Sequence, residues 1–213
     1  INGLVKQTTM LDINKDNPQQ RLIDKAVKCM KQGGVIAYPT DTMYGIGCDI
    51  YNKKAIKRIY QIKQRDKKKP FSFICCDLKN VSQYCLVSNS SYRLMKKCLP
   101  GPYTFVLQAM KVVPKIMMSR QKTVGIRVPD NNICKELVTG LGNPMLTTSA
   151  MLVKDLAPSE AYEVEDVLAN QIALIINGGT VYPSPSSVIS LINDDIEILR
   201  EGQGDTSLFI NNW

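Results

Sequence analysis

Two hydrophobic rhythms divide the chain. Leu22, Ile23, Ala26, Val27 and Met30 recur at helical spacing, and Asn17 and Pro18 suit the cap and first residue of that helix. Gly33-Gly34 suits its end. The same spacing returns at Ala55, Ile56, Ile59 and Tyr60 and ends near Lys63. Further helices are expected over residues 77–84, 90–98, 133–141 and 161–169. Short apolar runs at 35–38, 46–50, 71–76, 104–109, 124–128, 145–148, 172–176, 188–192 and 196–199 read as strands. Several strands follow one another directly while others alternate with helices. The pattern therefore predicts one α/β domain (α+β in some schemes) whose sheet is mixed and twisted rather than strictly parallel.

Composition narrows the chemistry. A chain of 213 residues with 44% hydrophobic content can bury one sizeable core. No apolar run approaches the roughly 18 residues of a membrane helix and no signal-peptide core is visible, so a soluble, cytoplasmic protein without membrane attachment is expected. Seven cysteines stand at irregular spacing with no CxxC and no histidine, which leaves the usual zinc patterns unmet and assigns no metal ligands. Such cysteine usage suits a reducing cytosol. Without histidine there is no Ser-His-Asp or Cys-His catalytic pair. Neither GxxxxGK[ST] nor a GxGxxG after a strand occurs, and the SxxK spacing at Ser119–Lys122 lacks its companion motifs. The net charge of +8 favours anionic partners, nucleotide or nucleic acid, with a merely solvated basic surface as the alternative.

Six segments could carry chemistry. The turn Pro39-Thr40-Asp41-Thr42-Met43-Tyr44-Gly45 leaves the end of a buried strand and gathers two hydroxyls, a carboxylate and a phenol. It could hold a small polar substrate, or be an ordinary Asp/Thr turn with a packed tyrosine. From Lys63 to Pro70, KQRDKKKP places Lys63, Arg65, Lys67, Lys68 and Lys69 around Asp66. These cations could cradle phosphates or complement a helix dipole. Arg127, in the apolar strand VGIRVP, needs a buried carboxylate or an anionic ligand. Leu146 to Ala150, Pro185-Ser186-Ser187 and Arg200-Glu201-Gly202 look like strand ends running into polar loops.

In order, GGVIAYPTDTMYGIGCD, KQRDKKKPFSF, PGPYTFVL, VGIRVP, TTSAM, INGG and ILREG resemble the YrdC family of threonylcarbamoyl-AMP synthases, and within it the single-domain YciO-like branch. The resemblance runs from Asp12 to Phe209, a domain over 12–209 with tails at 1–11 and 210–213. It implies a YrdC/RibB-like twisted sheet of about seven strands flanked by helices around a large, positively charged cavity. It also implies a nucleotidyltransferase that converts ATP, L-threonine and bicarbonate, with Mg²⁺, to threonylcarbamoyl-AMP for N6-threonylcarbamoyladenosine in tRNA. RNA, tRNA or double-stranded, is a second implied partner. By position, Lys63 and Arg65 are the K-x-R pair expected at the ATP phosphates, with Lys69 a further basic position. Thr40 would contact threonine with Tyr44 nearby, and Arg127, Ser149, Ser187 and Arg200 match other nucleotide or substrate positions. One departure stands out. The family pairs K-x-R with S-x-N, whereas this chain reads Ser149-Ala150-Met151, which replaces an amide by a thioether. Losing such a contact costs about 1–3 kcal/mol if its partner stays buried and unpaired. A second departure is Ile74, where the family has histidine.

Overall fold

The computed structural model of the chain describes residues 8–64, 71–152 and 157–210. The first apolar stripe becomes α1 (Gln20–Lys31), which buries Ile23, Ala26, Val27 and Met30. It ends as its glycines demand. Gly33 takes φ +87°, and the amides of Gly33 and Gly34 donate to the carbonyls of Met30 and Cys29. Its start lies two residues beyond the expected one, because the Asn14 side chain accepts the amides of Asp16 and Asn17 in a turn ahead of the helix.

The strands are β1 (Thr9–Asp12), β2 (Ile36–Tyr38), β3 (Gly45–Asp49), β4 (Ser72–Ile74), β5 (Tyr103–Gln108) and β6 (Thr123–Arg127). Then come β7 (Met145–Ser149), β8 (Leu174–Asn177), β9 (Ser187–Ser190) and β10 (Glu197–Arg200). The other helices are α2 (Lys53–Lys63), α3 (Leu78–Tyr84), α4 (Asn89–Cys98), α5 (Asn132–Leu141) and α6 (Ala161–Leu168). Side-chain caps at Asn52, Asp77, Ser88 and Asn131 start α2, α3, α4 and α5.

All ten strands join one sheet in the order β1-β8-β2-β3-β7-β4-β6-β5-β9-β10. Pairs β1/β8, β2/β8, β4/β6 and β5/β9 are parallel and the other five antiparallel, so the sheet is mixed, as the element order implied. Ten strands exceed the expected seven or so. One that gave no sequence signal is β1, whose four residues bury only Leu11. It begins at Thr9, so the domain boundary expected at Asp12 falls inside a strand.

Alternation along the strands sorts side chains to two faces. One face carries Ala37, Ile46, Phe73, Phe105, Ile126, Leu146 and Ile189 into the larger core, together with residues of α2 and α6. The opposite face is itself divided. Ile36, Tyr38, Ile74, Met145, Leu174 and Ile176 pack there with the apolar sides of α1 and α5. Beyond them, the same face turns polar.

Candidate active site

The polar half of that face lines a cavity of 420 Å³, within the size range of small-molecule sites. Its floor follows from period-two alternation. On β6, Thr123, Gly125 and Arg127 face the cavity while Ile126 enters the larger core; on β5, Thr104 and Val106 alternate with Phe105 and Leu107. Ser72 on β4 and Thr147 and Ser149 on β7 extend the hydroxyl-rich surface. A Cβ at Gly125 would lie 2.4 Å from the Ser72 hydroxyl, so any larger residue there would displace that side chain.

The turn after β2 is tightly self-bonded. The Thr40 hydroxyl donates to the Met43 carbonyl at 2.7 Å and accepts the amides of Thr42 and Met43, each at 3.1 Å. Thr40 does border the cavity, but its hydroxyl is engaged in holding the turn. The turn thereby presents Asp41, which answers the question posed by Arg127. Arg127 Nη2 donates to Asp41 Oδ1 at 2.6 Å and to the Thr42 hydroxyl at 2.9 Å, while Asp41 Oδ2 accepts the Asp130 amide at 3.0 Å. The pair is buried, and among the described residues Arg127 Nε has no hydrogen-bond partner. Tyr44 points elsewhere: its fully buried hydroxyl donates to the Gly179 carbonyl at 2.8 Å, and burial pushes its pKa up to about 12. Tyr44 thus ties the turn to the loop after β8.

Lys63, the last residue of α2, reaches the loop after β7. Its ammonium donates to the Ser149 carbonyl at 2.9 Å, to the Ser149 hydroxyl at 3.4 Å and to the Met151 carbonyl. Ser149 and Met151 both line the cavity, so Lys63 brings its charge to the cavity edge and fixes the S-x-M loop. Arg65 and Lys69, with Lys67 and Lys68, lie outside the described residues. Ile74 is fully buried on the helix-covered half of the face.

Across the cavity, Ser186 and Ser187 separate. The Ser187 side chain turns away, is fully buried, donates to the Gly204 carbonyl at 2.6 Å and accepts the Gly202 amide at 3.0 Å. Ser186 lines the cavity instead. Its carbonyl accepts from Arg200 Nη2 at 2.7 Å and from Nε at 3.1 Å, its hydroxyl accepts from Nη2 at 3.2 Å, and it shares a 2.8 Å hydrogen bond with the Thr104 hydroxyl. Arg200 sits at the rim, and partial burial followed by the nearby charge of Arg127 lowers its pKa.

The structure therefore brings Thr40, Arg127, Ser149 and Arg200 to one cavity, with Lys63 at its edge, and turns Tyr44 and Ser187 away from it. Sequence reasoning passed over Ser72, Thr104 and Thr123, and met Thr147 and Ser186 only as members of strand-end loops. The available signal was a polar residue at every second position of strands whose other positions are apolar, most clearly in Thr123-Val124-Gly125-Ile126-Arg127. Burial raises the thiol pKa of Cys48, Cys75, Cys85 and Cys134, which makes them structural rather than nucleophilic. Among the described residues no group of three or more acidic, cysteine or histidine side chains could hold a metal ion, and no helix is long and apolar enough to cross a membrane.

The sequence model of the Sua5/YciO/YrdC family, described as telomere recombination, matches residues 28–202. Over 200 residues, 93% of this chain and 97% of the relative, the sequence is 44% identical to the uncharacterized protein YciO of Escherichia coli (strain K12). The crystal structure of E. coli YciO matches with a TM-score of 0.90, covering 95% of this chain and 99% of that one at 42% identity. A putative threonylcarbamoyl-AMP synthase of Methanocaldococcus jannaschii is 30% identical over 192 residues, 90% of each chain. The crystal structure of P. abyssi Sua5 complexed with L-threonine matches with a TM-score of 0.85 at 27% identity, covering 92% of this chain and 58% of that one. With its mixed sheet, helix-covered faces and polar cavity, the chain belongs to the Sua5/YciO/YrdC family.

Proposed function

We propose that the protein is a nucleotidyltransferase of the threonylcarbamoyl-AMP synthase type, acting on ATP, L-threonine and bicarbonate in the cavity. The observation that carries this reading is a hydroxyl-lined cavity with Arg127 and Arg200 on its wall and Lys63 at its edge, where Asp41 pairs with Arg127. An excess of fixed positive charge in a partly enclosed site favours a polyanion.

In this reaction the threonine amine combines with bicarbonate to give a carbamate and water. A carbamate oxygen then attacks the α-phosphorus of ATP and pyrophosphate leaves. The chemistry asks the protein for alignment and charge neutralisation rather than a nucleophilic side chain, which suits a site without histidine and with inert thiols. Arg200, held by Ser186, offers its remaining donors to an anion, and Lys63 supplies charge at the opposite edge. By family position, Arg65 and Lys69 would complete the phosphate clamp. Magnesium would enter as the counter-ion of the triphosphate, since Asp41 already has both oxygens engaged. The product would serve N6-threonylcarbamoyladenosine formation in tRNA.

A second reading rests on Met151, which lines the cavity where the family carries an amide. It takes the protein as an RNA- or nucleotide-binding relative, for tRNA or double-stranded RNA, that has lost synthesis. Incubation with ATP, threonine and carbon-labelled bicarbonate separates the two. Labelled threonylcarbamoyl-AMP, formed faster by Met151→Asn, supports the synthase. Absence of that product in both proteins, beside salt-sensitive RNA binding, would establish the second reading.

A further inference from the structure

At the border between the covered and open halves of the sheet face, a buried phenol touches the cavity floor through a single hydroxyl. Tyr38 is fully buried, and its hydroxyl donates to Thr147 Oγ1 at 2.7 Å. The ring lies across the backbone of β3 because two positions there have no side chain. A Cβ at Gly45 would stand 3.4 Å from the Tyr38 ring, and one at Gly47 would stand 3.0 Å from both the ring and the phenol oxygen. Thr147 is 5% exposed, lines the cavity, and its hydroxyl makes no other hydrogen bond with the described residues.

The direction of that hydrogen bond follows from chemistry. A phenol is a stronger acid than an aliphatic alcohol, and its oxygen is a weaker acceptor because a lone pair is shared with the ring. Between the two, the phenol donates and the alcohol accepts. Burial, followed by the neighbouring Cys134 thiol, holds the phenol's pKa far above its ordinary value, so it remains a donor across the neutral range. With one lone pair of Thr147 occupied by this donor, the threonine proton is left to face the cavity.

We propose that Thr147 is a ligand-contacting hydrogen-bond donor on the cavity floor, and that Tyr38 is a positioning residue that aims its proton. The acceptor it suits is an anionic oxygen, phosphoryl or carboxylate, because the Arg127 guanidinium lines the same cavity as Thr147. The inference rests on the cavity being the nucleotide site, and it adds a neutral donor to the cations.

The test is ATP titration by calorimetry, beside thermal melting, for the full chain and for Tyr38→Phe, Thr147→Val, Thr147→Ser and the double variant Tyr38→Phe/Thr147→Val. Tyr38→Phe and Thr147→Val should each weaken ATP binding by about three- to tenfold, the scale of one hydrogen bond, whereas Thr147→Ser should keep wild-type affinity. Thr147→Val strands a buried phenol and should lower the melting temperature. The double variant removes both polar partners and should recover the melting temperature without recovering affinity. A purely structural pair would recover both. Tyr38→Phe binding ATP as tightly as the wild type would overturn the inference. So would a Tyr38→Phe penalty of equal size in the Thr147→Val background, because the phenol would then not act through Thr147. Failure of the wild type itself to bind ATP would overturn the proposed function along with this inference.

Discussion

Along β4, Ile74 packs with the apolar sides of α1 and α5, while Ser72, on the same face two residues earlier, opens to the cavity. Along β7 the same switch occurs between Met145 and Thr147. The two halves of one sheet face thus differ in what covers them. Where α1 and α5 lie, each inward position is a hydrophobe whose worth is area removed from water. In the open half, most inward positions are hydroxyls, a glycine or a cation, with Val106 and Val188 among them, and their worth is in what they can bind. The fold places its chemistry at the end of a helix layer, and the strands pass from one regime to the other without a break.

Substitutions should separate the halves. The largest stability effect is expected from Arg127→Ala, which strands the buried Asp41 carboxylate. Breaking a buried ion pair by removing one partner costs about 3–5 kcal/mol, and chemical denaturation would read it. ATP binding should fall with it, and a stability loss below ~1 kcal/mol would mean that Asp41 is solvated rather than paired. In the covered half, Ile176→Ala should cost about 2–5 kcal/mol through lost burial and a residual cavity. The folded variant should bind ATP like the wild type, and a selective loss of affinity would contradict the division between the halves.

Smaller effects belong to the open half. Ser186→Ala removes a hydroxyl that accepts from Arg200 and bonds Thr104, and should weaken ATP binding about three- to tenfold with a stability change near 1 kcal/mol. Among the described residues Ser187→Ala deletes side-chain hydrogen bonds to Gly202 and Gly204 only, so its effect should appear in melting and be nearly absent from ATP affinity. Equal binding losses for both serines would contradict their opposite orientations.

Much of this was legible in the chain. Helices α1 and α2 showed in their apolar periodicity, although the cap of α1 lies at Gln19 rather than Asn17, and the KQR, PTDT and ILREG segments carried the family resemblance. The placements that the sequence did not show share a physical origin. Tyr44 stands in the same motif as Thr40 yet points to the Gly178–Gly179 loop, because a turn sends neighbouring side chains in different directions. Ser187 was preferred to Ser186, although strand geometry allows only one of two adjacent residues to face the cavity. The Arg127–Asp41 pair joins residues 86 positions apart, a proximity that no local pattern carries. Thr147 stood in the strand end Leu146 to Ala150, and no local pattern tied it to Tyr38, 109 positions away.

The most direct test of the division between halves is backbone amide hydrogen exchange with and without saturating ATP. Slowed exchange in β5, β6 and the loops after β7 and before β9, with α1, α5, β1 and β8 unchanged, is the predicted outcome. Protection concentrated in α1 and α5, or none anywhere, would contradict the assignment of the open half as the ligand site.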